Sequence, residues 1–188
     1  MAGHRFHPEK AGKLLDPKRK EIISPEQVIS ILQINKHDVV ADLGAGNGYF
    51  TVPIAKITKE KVYAVDVQPE MLQFLKQHAE QETVTNIEYR QADVAATSLS
   101  SHSIDKGIMA FVFHEVSNQD AVLAEIERIM KPNGKFLLIE WEAVESEMGP
   151  PLHERLFSKD LLDYLKTKHD HVEMVHFHPT VYGLLITF

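Results

Sequence analysis

The sequence has no cysteine among its 188 residues, which excludes disulfides, thiolate metal ligands and a cysteine nucleophile. It also lacks an apolar run long enough to cross a bilayer. Its opening Met-Ala-Gly-His-Arg-Phe-His-Pro has no apolar core of the secretory kind, so a cytoplasmic protein without a membrane partner is expected. Glycine and proline number only nine each, which excludes collagen-like and low-complexity chains. Positive charge is scarce as well. Twenty Lys and Arg stand against 27 Asp and Glu, and the net charge of -7 would repel a nucleic acid. The one basic cluster, Lys18, Arg19 and Lys20, is followed at once by Glu21 and reads as a solvated surface run.

What the chain does have is a hydrophobic content of 44%, enough for one substantial core in one domain. Residues 1–23 are mixed polar, broken by Pro8 and Pro17, and read as an N-terminal arm. With Phe6, His7 and Pro8 this arm is either a lid over a substrate pocket or a tail. The domain proper is expected over 24–188. It opens at Ser24-Pro25-Glu26-Gln27, which supplies a cap, a proline at the first helical position and a Gln placed for a capping box.

From there strand-like runs alternate with helix-period runs. Val39 to Leu43, Lys61 to Val67, Asn86 to Gln91, Asp105 to Val112 and Lys135 to Trp141 read as strands. Between them Tyr49 to Thr58, Pro69 to Gln81 and Asn118 to Lys131 read as helices, the last stopped by Gly134. Such alternation predicts a parallel α/β sheet. An acidic stretch, Glu142 to Phe157, is long for a connection and marks a candidate functional loop. Ser158 is expected to cap a last helix to about Lys168. His171 to His178 and Val181 to Phe188, only two residues apart, must then pair antiparallel.

The stretch Asp42-Leu43-Gly44-Ala45-Gly46-Asn47-Gly48 ends a strand and feeds a helix, which places a ligand at the strand's carboxyl end. GxGxxG would suit a dinucleotide in the same context; here the spacing is GxGxG with an acid two residues before it. Asp42 can accept from an ammonium while the Gly44 to Gly48 backbone faces a carboxylate. Asp66 ends the second strand, where carboxylates grip ribose hydroxyls. Asp93-Val94 follows the third, and its acid can accept from an adenine amino group. Three acids at three consecutive strand ends describe a site for an amino acid joined to a nucleoside.

In these motifs the stretch from about 24 to 188 resembles the class I S-adenosylmethionine-dependent methyltransferases. Asp42-Leu43-Gly44-Ala45-Gly46-Asn47-Gly48, Asp66, Ala92-Asp93-Val94 and Met130-Lys131-Pro132-Asn133-Gly134-Lys135 fall in the family's order, and the terminal hairpin matches. The resemblance implies a Rossmann-like, doubly wound, seven-stranded sheet, mostly parallel with the last strand antiparallel and helices on both faces. It further implies S-adenosyl-L-methionine as donor. Asp42, Gly44, Ala45, Gly46 and Gly48 would line the methionine end, Asp66 the ribose and Asp93 with Val94 the adenine, with Val67 also in the donor site and Gln68 near the adenosine. The acceptor is expected to be a small molecule.

His114 and Glu115 follow the fourth strand, beside the expected methyl position, and are the catalytic candidates; capping or packing is the alternative role. In the long loop, Glu154 and Arg155 read as an exposed pair. Histidines cluster at 4 and 7 and again near the C-terminus, where on a strand His169 and His171 would share one face, as would His176 and His178; nothing fixes a third ligand, so no metal is expected. Two rival functions stand: a nicotinamide-dependent oxidoreductase, and a non-catalytic subunit that only binds S-adenosylmethionine.

Overall fold

The structure, a computed structural model, describes residues 18–188. The candidate lid residues Phe6, His7 and Pro8 lie outside the described residues, as does His4. The chain begins with α1 (Lys18–Ile22) and α2 (Pro25–Leu32). At α2 the capping box forms: the Gln27 amide donates to Ser24 Oγ at 3.3 Å and the Ser24 amide to Gln27 Oε1 at 2.9 Å. Val28 and Leu32, four apart on one face, are fully buried.

The alternating segment then runs β1 (Val40–Leu43), α3 (Thr51–Ile57), β2 (Val62–Asp66), α4 (Pro69–Gln81), β3 (Ile87–Gln91), β4 (Ile104–Ala110), α5 (Gln119–Ile129) and β5 (Met130–Trp141). After it come α6 (Ser158–Lys166), β6 (His171–His178) and β7 (Val181–Thr187). The seven strands lie in the order β3-β2-β1-β4-β5-β7-β6. β1 to β5 are parallel, and β7, inserted between β5 and β6, runs antiparallel to both. This is the doubly wound, mostly parallel arrangement expected, with β7 reversed.

Two apolar layers cover the sheet. On one face Val28 and Leu32 of α2 and Ile54 of α3 pack with Val40 and Ile108. On the other, Val122, Ile126 and Ile129 of α5 and Leu161 and Leu165 of α6 pack with Ala41, Leu43 and Met109. The winding order reverses between β1 and β4, and at such a switch point the diverging connections leave a crevice beyond the strands' carboxyl ends.

The structure corrects several expected boundaries. α5 stops at Ile129, because Pro132 disfavours the helical conformation at the residue before it; Met130 already pairs with Ile104 as part of β5, and Gly134 lies within that strand rather than ending the helix. α3 begins only at Thr51. β4 ends at Ala110, since Phe111 takes a left-handed φ of 62° and turns the chain. Ser158 is the first residue of α6 and not its cap. Glu142 supplies the capping oxygen from across the loop, accepting the Ser158 amide at 3.2 Å.

Candidate functional site

The glycine turn after β1 is built on positive φ at Gly44 (81°), Gly46 (54°) and Gly48 (88°). A Cβ on Gly44 would stand 2.3 Å from Val112 Cγ2, so the tips of β1 and β4 approach only because that atom is missing. The turn is tied down internally: the Gly44 and Ala45 amides both donate to the Val65 carbonyl, at 2.8 and 3.0 Å, and the Gly48 amide to the Ala45 carbonyl at 3.0 Å. The Gly46 amide donates to Asp66 Oδ2 at 2.9 Å. These four amides therefore have partners within the protein.

Asp66 is 9% exposed and also accepts the Gln68 amide through Oδ1 at 2.9 Å. Burial raises its pKa, against the pull of the amides of Gln68, Gly46 and Val67. Asp42 is more deeply enclosed, at 2% exposure, and accepts the Thr51 hydroxyl at 2.6 Å. Burial pushes its pKa up to about 7; the Thr51 bond and the Arg19 charge oppose this and Asp66 adds to it. Asp93 is exposed and folds back onto the Ala95 amide at 2.9 Å, a local turn of the Asx kind.

These groups share the wall of one cavity of about 1090 Å³ at the β1/β4 switch point. Every donor-side and catalytic candidate named from the sequence lines it except Gly48, whose missing side chain faces α4: a Cβ there would meet Leu75 Cγ at 2.8 Å. Gly48 is needed for packing and for its positive φ.

His114 and Glu115 belong to a single 3-10 turn, Phe113–Glu115, anchored by the fully buried Phe113. The His114 side chain is 4% exposed. Its Nδ1 lies 2.8 Å from Glu140 Oε2, its backbone amide donates to Glu140 Oε1 at 3.1 Å, and the Trp141 amide donates to Glu140 Oε2 at 3.2 Å. An ionised carboxylate only accepts, so Nδ1 carries the proton and Nε2 is the other ring position, 3.9 Å from Glu115 Oε1. Burial pulls the His114 pKa down; the Glu140 bond and charge, with Glu115 and Glu154 further off, outweigh it and lift the pKa above its ordinary value.

Sequence reasoning missed Glu140, although a lone acid in the apolar run from Phe136 to Trp141 was a visible signal. It also misread Arg19. That guanidinium is no solvated charge: it sits over the rings of Tyr49 (4.6 Å), Phe111 (5.1 Å) and Phe50 (5.8 Å) and lines the cavity. Burial lowers its pKa to about 10, against Tyr49 and Asp42, so it stays cationic at neutral pH. Phe111 in turn stacks on Trp141 with centroids 4.8 Å apart.

Residues 147–151 of the long loop, with His153 and Glu154, complete the wall. Arg155 is not half of an exposed pair with Glu154. It donates to the carbonyls of Val144 (2.6 Å), Pro150 (2.8 Å) and Met148 (2.9 Å) and to Ser146 Oγ (2.8 Å), stitching the loop together. Of the C-terminal histidines, His169 stands edge-on to Phe188 and His178 bonds the Thr180 hydroxyl. Among the described residues no three His, Asp or Glu are grouped to hold a metal.

The donor set fits an amino acid joined to a nucleoside: a deeply enclosed carboxylate at the glycine turn, a second acid braced by amides at the next strand end, a third beyond it, and room for a second molecule beside His114. The sequence model of the family described as the methyltransferase domain matches residues 41–138. A methyltransferase-like protein of Schizosaccharomyces pombe is 36% identical over 106 residues, 56% of this chain and 39% of its own. The ubiquinone/menaquinone biosynthesis C-methyltransferase UbiE of Shewanella pealeana is 30% identical over 118 residues, 61% of this chain and 47% of its own. The chain thus matches less than half the length of these two relatives. A crystal structure of a SAM-dependent methyltransferase from Aquifex aeolicus superposes with a TM-score of 0.90 at 30% identity, covering 97% of this chain and 99% of that one. With fold and family model in agreement, the chain belongs to the class I S-adenosylmethionine-dependent methyltransferases.

Proposed function

We propose that this protein methylates a small-molecule acceptor bearing an ionisable O–H or N–H, and that His114 takes the proton. The observation that carries this reading is His114, which lines the same cavity as Asp42 and Asp66 and is backed from behind by the buried Glu140. S-adenosylmethionine, when bound, supplies a methyl group on a sulfonium that leaves as a neutral thioether. The protein's own residues then have two tasks: to hold the acceptor in line and to receive its proton.

Glu140 fixes the tautomer and orientation of His114, so Nε2 serves as the base. Phe111, Trp141, Met148 and Pro150 give the acceptor side flat and apolar walls. A phenolic or enolic hydroxyl suits both features. Once deprotonated it is nucleophilic at oxygen and at the neighbouring carbon, and the C-methyltransferase names of the UbiE relatives support the carbon arm. Residues 24–188 are read as the catalytic domain, with the N-terminal arm as a lid, in a cytoplasmic setting. No helix among the described residues is long and apolar enough to cross a membrane.

Calorimetric titration with S-adenosylmethionine, S-adenosylhomocysteine and NADH is the test. Saturable binding of the first two alone supports the reading and justifies screening hydroxylated aromatic acceptors by homocysteine-nucleoside release. Binding of NADH alone would overturn it.

A further inference from the structure

We infer that Arg19 is the receptor for the carboxylate of the donor's amino acid headgroup, an inference that rests on the donor reading above. The headgroup of S-adenosylmethionine is a zwitterion, and an enclosed site must meet both its charges. Asp42 is the anion at the glycine turn. The turn's amides are poor candidates for the opposite task, because those of Gly44, Ala45, Gly46 and Gly48 already donate to Val65, Asp66 and Ala45.

Arg19 brings a permanent cation to the same part of the wall. It lies close enough to Asp42 for each to shift the other's proton affinity, and both line the cavity. Tyr49, Phe50 and Phe111 gather around the guanidinium carbon and fix its position, and a guanidinium carries its N–H donors in a planar fork that matches a carboxylate.

Arg19 arrives on α1, ahead of the catalytic domain, and the Tyr49 hydroxyl donates to the Ile23 carbonyl at 2.7 Å, fastening that segment to the end of the glycine turn. Donor binding and the seating of α1 are therefore coupled: an occupied headgroup site adds an ionic contact that holds α1 in place.

The test compares two ligands that differ only in the carboxylate: S-adenosylhomocysteine and its decarboxylated analogue. Each is titrated calorimetrically into the full chain as wild type, R19Q and R19K. The expected result is a loss of about tenfold or more in S-adenosylhomocysteine affinity for R19Q, partial retention for R19K, and little change for the analogue. Equal losses for both ligands in R19Q would assign Arg19 a packing role and overturn the inference, as would unchanged affinity for both. A melting curve accompanies each variant, and should R19Q fail to fold, R19K carries the same comparison. Wild type that binds neither ligand overturns the donor reading itself, a distinguishable outcome.

Discussion

Glu140 grips His114 twice, through the backbone amide at 3.1 Å and through Nδ1 at 2.8 Å, with its own side chain wholly buried. The His114 pKa is raised in the folded protein. The pair therefore stabilises the fold fully below the ordinary histidine pKa of about 6.5, and that contribution fades as pH rises through the folded value. For Glu140→Gln, the His114 ring should titrate at lower pH when followed by proton NMR. The stability difference from wild type should be about 1–3 kcal/mol in mild acid and narrow toward alkaline pH. An unchanged His114 titration would remove Glu140 from the proposed mechanism.

Asp42 slopes the other way for function. Its pKa is raised to about 7 by burial, so between about pH 4 and 7 the folded protein holds a proton that the unfolded chain has released. Stability should then fall by up to about 1.4 kcal/mol per pH unit across that window, and Asp42→Asn should flatten the slope. Donor affinity should instead rise toward pH 7, because an ammonium selects the ionised carboxylate. Urea melts and titrations at several pH values read the two trends separately.

The glycine turn, the three strand-end acids and the alternation of runs were legible because each follows from local chemistry: φ > 0 needs glycine, and a parallel sheet buried on both faces needs unbroken apolar strands. Arg19 was not, because a Lys-Arg-Lys run says nothing of which member turns inward; only the packing of Tyr49, Phe50 and Phe111 decides it. Glu140 lies between these cases. Its acid in an apolar strand was visible, but its partner lies 26 residues away across a parallel crossover. The end of α5 was misplaced because Gly134 was read as the stop although Pro132 already forbids the helix at Lys131.

Asp66 holds the glycine turn and the start of α4 in one carboxylate. Asp66→Asn should cost about 2 kcal/mol in stability, since an amide cannot accept from both the Gly46 and Gln68 amides as the carboxylate does. It should also weaken S-adenosylhomocysteine binding about tenfold or more by calorimetry. Retained affinity would take Asp66 out of the donor site.

Arg155→Ala should loosen the loop over residues 142–157 while largely sparing the sheet, because its hydrogen bonds are all to that loop and it meets the sheet only through the ring of Trp141, 5.8 Å away at the end of β5. Hydrogen exchange is expected to accelerate within that segment, with the melting temperature shifting by only a few degrees. Unchanged protection there would mean that Arg155 is dispensable to the acceptor wall.

Phe111 carries a further consequence of its φ of 62°. At most positions alanine is better tolerated than glycine, because glycine leaves the unfolded chain more freedom. Here that ranking should invert. Phe111→Ala loses the stack on Trp141 but keeps a side chain in the left-handed region, whereas Phe111→Gly loses the same stack and sheds the strain, and should be the more stable of the two by about 1 kcal/mol in chemical denaturation. A backbone that favours glycine but bears an aromatic ring is a conformation that only its assembled neighbours sustain. On heating, the aromatic side of the cavity should therefore lose its shape before the sheet beneath it melts.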